Sequence, residues 1–239
     1  MEVKSELRWK IAGLLAGLAV VLGARADIVY DNTTPANYQG TFLASTNEYG
    51  DEISLAGTAR LVVAFLFEYF GDFVPSGDEK VRFRIYAQDG QPYPPYPKYL
   101  EPGTVLYDSG FLAISTNVNT IPLLIPKLLV PNTFTYTVQF VGLTQVPGDR
   151  AGLMIYDPPT VGAELPPYMG KTIIGSYPDF WKLVDGQWGL YSFGGHPPAN
   201  FGAQVIALVP EPSTITLGVL AAAGWLGCRA ARRRWRDGG

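Results

Sequence analysis

The chain has 239 residues, with 18 Lys and Arg against 21 Asp and Glu, one His and one Cys. That balance supplies no basic patch for a phosphate backbone, which argues against nucleic acid as a partner, and a single Cys rules out an intramolecular disulfide. The 20 Pro and 27 Gly interrupt the middle of the chain too often for any long helix-period segment.

Taken from the N-terminus, Lys4, Arg8 and Lys10 form a basic leader, residues 11–23 (IAGLLAGLAVVLG) an apolar stretch, and Ala24-Arg25-Ala26 a small-x-small cleavage site. This order predicts a signal peptide over 1–26, passed through the Sec export machinery and cleaved at Ala24 and Ala26 so that the mature chain begins at Asp27. A retained N-terminal anchor is the alternative. Once the leader and the arginine-rich C-terminal tail are set aside, residues 27–208 keep 9 basic and 17 acidic residues, a formal charge of about −8. That length suits one domain, and without a disulfide a large apolar core must hold it.

The cargo reads as strands. Short runs rich in Val, Ile, Thr, Phe and Tyr lie between turn residues at 27–30, 41–44 and 52–55, and ARLVVAFLFEYF (59–70) is a long apolar strand ended by Gly71-Asp72. In VRFRIYAQ (81–88), Val81, Phe83, Ile85 and Ala87 share one face and Arg82, Arg84, Tyr86 and Gln88 the other, so one face is core and the other wet. Residues 104–107 close at an Asp108-Ser109-Gly110 turn and 110–114 continue after it. Pro122 demotes 119–125 to an edge or a broken strand. TFTYTVQFVGL (133–143) alternates again, and 152–156 and 201–208 complete the set. Nine to ten strands at this spacing predict an all-β fold, an antiparallel β-sandwich of jelly-roll-like kind, with a barrel as the alternative.

Candidate chemistry is sparse. The single His196 lies in a Gly-Pro loop, and no nucleophile-elbow motif accompanies it. No His or Cys pair has metal-ligand spacing, so no metal, cofactor or catalytic residue is assigned. Asp31, Asp108 and Asp157 each follow a Tyr at a strand end. A reused Asx-type turn explains this, and calcium ligation is the sharper alternative. Glycoside hydrolysis needs only two carboxylates, and Glu48, Asp51, Glu52, Glu68 and Asp72 cluster in the chain. QPYPPYPKYLEP (91–102) carries Tyr93, Tyr96 and Tyr99 every third residue, the period of a polyproline II helix. Such an edge would offer an aromatic strip to a sugar or a partner, unless the loop is simply tethered to the domain. Tyr177, Phe180, Trp181 and Trp188 form a second aromatic group, which an Asp185-Gly186 turn would make into a hairpin.

At the C-terminus, Val209-Pro210-Glu211-Pro212-Ser213 is followed by an apolar run over 214–228 and a basic stop over 229–236 holding Arg229, Arg232, Arg233, Arg234 and Arg236. The strictly apolar part, residues 215–228, is shorter than the roughly twenty residues a comfortable membrane span needs. The arginines favour the cytoplasmic surface and set its orientation. An ordinary tail anchor is the alternative. The ordered trio over 209–239 resembles the PEP-CTERM sorting tail. That resemblance implies recognition of Pro210, Glu211 and Pro212 by a membrane-embedded exosortase, a transient C-terminal transmembrane helix, and release or attachment at the cell surface. LAGTARLVVAFLFEYFG, PGTVLYDSG and GLMIYDPPTVG in the cargo are similar to secreted proteins carrying that tail. The expected role is a non-enzymatic structural or adhesive element of envelope or exopolysaccharide, the alternative a surface-displayed carbohydrate-binding module or, further off, a glycoside hydrolase. The tyrosines 93, 96 and 99 with Trp181 and Trp188 are the candidate ligand-binding residues.

Overall fold

The structure, a computed structural model, describes residues 25–44, 46–94, 96–143, 148–164, 179–193 and 198–209. The expected signal peptide through Ala24, the expected sorting tail from Pro210 through Arg236 with the two terminal helices assigned to these ends, and Tyr177 and His196 lie outside the described residues. No helix among the described residues is long and apolar enough to cross a membrane.

Residues Ala26–Leu208 form one compact unit. Its strands are β1 (Ala26–Asp31), β2 (Tyr38–Ala44), β3 (Glu48–Ser54), β4 (Leu61–Asp72), β5 (Lys80–Tyr86), β6 (Pro92–Tyr93), β7 (Tyr96–Leu100), β8 (Val105–Ala113), β9 (Asn117–Leu129), β10 (Thr133–Val141), β11 (Arg150–Tyr156), β12 (Ala163–Glu164), β13 (Asp179–Val184), β14 (Gln187–Ser192) and β15 (Ala203–Leu208). The described residues are all-β, as expected, with more segments than the nine or ten foreseen. The excess comes from the short β6, β7 and β12 and from the β13–β14 hairpin, whose lengths fall near or below the usual strand.

Two antiparallel sheets carry the fold. The first runs β1-β15-β4-β11-β2, with β9 also on β4. β4 is long enough to be flanked by β9 along its length on one side and by β15 then β11 on the other. The junction is sealed where the Glu68 N–H donates to Gly202 O (2.9 Å) and the Gly202 N–H to Met154 O (2.8 Å). The second sheet runs β14-β13-β3-β10-β5-β8, with β12 beside β3. Among the described residues no ladder joins the two sheets, so this is not a closed barrel.

The inner faces meet through aromatic rings. Phe65 of β4 lies 4.5 Å from Phe83 of β5 and 5.0 Å from Tyr136 of β10, and Phe42 of β2 lies 5.2 Å from Phe180 of β13. Val81, Phe83, Ile85, Phe134, Tyr136, Val138 and Phe140 are fully buried, the alternation read in β5 and β10. A buried Phe or Leu contributes on the order of 2 kcal/mol, so this layer replaces the absent disulfides.

Three local expectations are corrected. The two runs expected at 104–107 and 110–114 are one strand, β8 (Val105–Ala113), and Asp108-Ser109-Gly110 is a bulge within it rather than a turn. Gly110 takes a left-handed φ of 65°, its N–H donates to Asp108 Oδ1 (2.9 Å), and Ser109 Oγ accepts the Phe83 N–H (3.0 Å), so the extra residues stay stitched to β5. The outer face of β5 and β10 is not wet throughout, since Tyr86, Thr135 and Thr137 are buried. Residues 92–100 pair as the β6–β7 hairpin with Tyr93 opposite Tyr96, so the three tyrosines do not share a polyproline edge. The edge-strand reading of Pro122 holds: β9 pairs with β4 alone, and Pro122 stands opposite Leu66.

Candidate ligand-binding cleft

The outer face of the second sheet collects most of the chain's described functional side chains. Period-two alternation puts Glu48 and Glu52 of β3, Thr137 and Gln139 of β10, and Arg82, Arg84 and Tyr86 of β5 on it. Trp188 of β14 meets Tyr86 edge-on at 5.4 Å. β14 and β5 are separated by three strands in sheet order, so that contact means the β13–β14 hairpin curls back over the sheet. The Asp185-Gly186 tip makes this possible: φ values of 51° and 79° give the type I′ turn that the sequence predicts, between the paired Val184 and Gln187.

Beneath the hairpin, a charged chain runs across the sheet. Glu48 is almost fully buried and accepts from Arg84 Nη1, Thr137 Oγ1 and Tyr86 Oη (2.9 Å). A buried carboxylate is tolerable only with this degree of compensation. Arg84 Nε donates to Asp108 Oδ2 (3.2 Å), and Arg82 Nε to Asp108 Oδ1 (2.9 Å). The Arg82 hydrogen bond holds the Asp108 carboxyl well below the usual range, and Asp108 in turn raises Arg82. Burial, then the neighbouring Glu48 charge, pushes the Tyr86 phenol up to about 12. Beside this chain lies a cleft of about 460 Å³, walled by Glu48, Arg82, Arg84, Phe111, Gln139 and the hairpin tip from Leu183 to Gly186. Phe111 is 51% exposed, and the Arg82 guanidinium sits 5.5 Å from its ring centre.

A second group lies under the base of the hairpin. Glu52 accepts from Trp181 Nε1 (3.3 Å), yet burial outweighs that bond and pushes its carboxyl up to about 7. Burial likewise pushes Asp179 up to about 6. Asp51 points into the interior, where burial raises it despite N–H donation from Glu52 (2.8 Å) and Phe201 (3.3 Å).

Of the sequence candidates, the fold brings Tyr93, Trp181 and Trp188 together. Tyr93 is edge-on to Trp181 at 5.4 Å, Trp181 to Trp188 at 6.4 Å, and Tyr93 Oη accepts the Leu190 N–H (3.3 Å). Trp181 is 1% exposed while Tyr93 and Trp188 are half-buried, so the trio holds the two hairpins together with Trp181 at its centre. Tyr96 and Tyr99 lie on β7, and their side chains fall outside what is described. The carboxylates separate. Glu48 and Glu52 share the outer face, Glu68 of the first sheet accepts from Tyr156 Oη, and Asp72 pairs with Arg150 (2.8 Å). Asp31 and Asp108 both show the Asx-type hydrogen bond expected of them, Asp31 accepting the Thr33 N–H (3.0 Å) and hydroxyl (2.8 Å) and Asp108 the Gly110 N–H (2.9 Å), and Asp108 also belongs to the arginine chain on the other sheet. No group of three or more His, Cys, Asp or Glu among the described residues is arranged to hold a metal ion.

Arg82, Arg84, Gln139 and Phe111 were not among the sequence candidates for binding. A signal for Arg82 and Arg84 was present in the RFR alternation of β5, where two arginines flank a core Phe inside a strand, whereas nothing local marks Gln139 or Phe111. No protein-family model, no curated protein and no solved structure matches the chain.

Proposed function

We propose that this chain is exported by the Sec machinery, sorted by an exosortase that reads Pro210-Glu211-Pro212, and placed at the cell surface or in the extracellular matrix. There it serves a structural or adhesive role in envelope or exopolysaccharide and catalyses no reaction. The observation that carries this reading is the order of motif, apolar run and basic stop over 209–236, matched by a leader at the other end. Prolines hold the motif extended, Glu211 supplies the charge to be recognised, and Arg229, Arg232, Arg233, Arg234 and Arg236 keep the tail's end on the cytoplasmic side during its transient stay in the membrane.

The cargo is a β-sandwich of jelly-roll-like kind, a reading supported by two facing sheets and by the pairing of the first strand with the last. A non-catalytic role is supported by the engagement of the carboxylates. Glu48 and Asp108 are spent on arginines, Glu52 and Asp51 are buried, Glu68 holds a Tyr hydroxyl and Asp72 an Arg. Polysaccharide binding is the second reading, and the cleft beside Phe111 is the observation that favours it.

In a host bearing an exosortase, Glu211→Ala, or separately deletion of Arg232–Arg234, leaves an uncut membrane-bound precursor visible by immunoblot of cell fractions. Normal processing of both variants overturns the sorting assignment.

A further inference from the structure

We infer that the cleft between Phe111 and the Leu183–Gly186 tip is a subsite for an uncharged sugar unit of a polysaccharide. This rests on the second reading above, polysaccharide binding, and gives it a ligand class.

The chemistry of the walls selects the ligand. Sugar hydroxyls both donate and accept, and the cleft is lined by the guanidinium groups of Arg82 and Arg84, by the Gln139 amide, which also donates to Thr46 O (3.2 Å), and by the Asp185 carboxylate at the rim. Planar groups of this kind engage two vicinal hydroxyls at once. An anionic ligand is disfavoured, because Arg82 faces Asp108, Arg84 faces both Glu48 and Asp108, and Asp185 adds a further negative charge at the rim. A carboxylate or sulfate entering there would have to displace a protein carboxylate to gain a cation.

The exposed ring supplies the apolar half. Rings on the inner faces, such as Phe83 and Tyr136, are fully buried, whereas half of Phe111 faces solvent beside the cleft. The Arg82 guanidinium steadies it, and the C–H face of a pyranose is the kind of surface that packs on such a ring. The polar walls are already ordered: Arg84 and Glu48 retain 14% and 3% side-chain exposure in their ion pair, so binding costs little additional side-chain entropy. At about 460 Å³ the cleft falls within the size range of small-ligand sites, roughly 300–1,000 Å³.

Isothermal titration of the full-length chain in detergent, against cello-, manno-, malto- and xylotetraose and against tetragalacturonate, tests the assignment. The expected result is that at least one neutral tetraose binds and tetragalacturonate does not. Phe111→Ala then weakens binding by about tenfold or more, the loss expected of an aromatic anchor. Gln139→Ala weakens it less, and Leu124→Ala on the first sheet leaves it unchanged. Circular dichroism confirms that each variant folds. Absence of binding by every neutral tetraose, or tighter binding of tetragalacturonate, overturns the proposal. Unchanged affinity in Phe111→Ala also overturns it while leaving polysaccharide binding elsewhere on the domain intact. Processing of Glu211→Ala is read separately, so a failure of sorting is not confused with a failure of the cleft.

Discussion

Glu52 and Asp179 titrate above their ordinary values of 4.5 and 3.8 because burial penalises the charged form. The folded chain therefore retains protons that the unfolded chain releases. Stability from these groups is fully present below their ordinary values and is lost as pH rises through about 6 for Asp179 and about 7 for Glu52. Asp108 has the opposite sign: held low by Arg82, it contributes above the ordinary carboxylate range and loses that contribution as pH falls below it. The expected outcome is a melting temperature that declines between about pH 4 and pH 7, from the ordinary values of these two groups to their raised ones. Glu52→Gln, which cannot ionise, should remove a share on the order of 3 kcal/mol at the upper end. A Glu52→Gln melting profile with the wild-type slope would show that burial of this carboxylate is not what drives the decline.

Among the elements, the β13–β14 hairpin joins fold to cleft. Its Gly186 occupies a left-handed φ with open space where a Cβ would sit, so a substitution there is limited by backbone conformation and not by a clash. Gly186→Val should destabilise the domain by about 1–2 kcal/mol in denaturant unfolding, and because the tip walls the cleft, it should also lower sugar affinity. Wild-type stability in that variant would sink the type I′ assignment. This turn was legible from Asp-Gly between aromatic runs, as β4, β5 and β10 were from their apolar alternation. β8 was not, because Asp108-Ser109-Gly110 carries the same residues whether it closes a strand or bulges within one, and only its pairing with β5 decides. The Pro-Tyr period of 91–102 fitted polyproline geometry locally, while the hairpin it forms depends on pairing between its own halves. The polar face of β5 was assigned to water for the same reason. Nothing within Arg82–Tyr86 announces that Glu48, Asp108 and a hairpin about a hundred residues downstream will cover it.

For the domain Ala26–Leu208, no disulfide adds to what the buried core and its hydrogen bonds supply. Cys228 is the chain's one cysteine and lies outside Ala26–Leu208. Reducing agent should therefore leave the melting temperature of the domain unchanged in calorimetry, and a drop would reveal a cross-link between chains through Cys228. The pairing of first and last strands has a mechanical consequence. β15 lies between β1 and β4, with Leu208 opposite Ala26 on one side and Leu61 on the other. Tension applied at Leu208 along the strand loads two antiparallel ladders in shear at once, so their hydrogen bonds must yield together instead of unzipping singly. A protein tethered through its C-terminal end would meet drag along a strand paired on both sides.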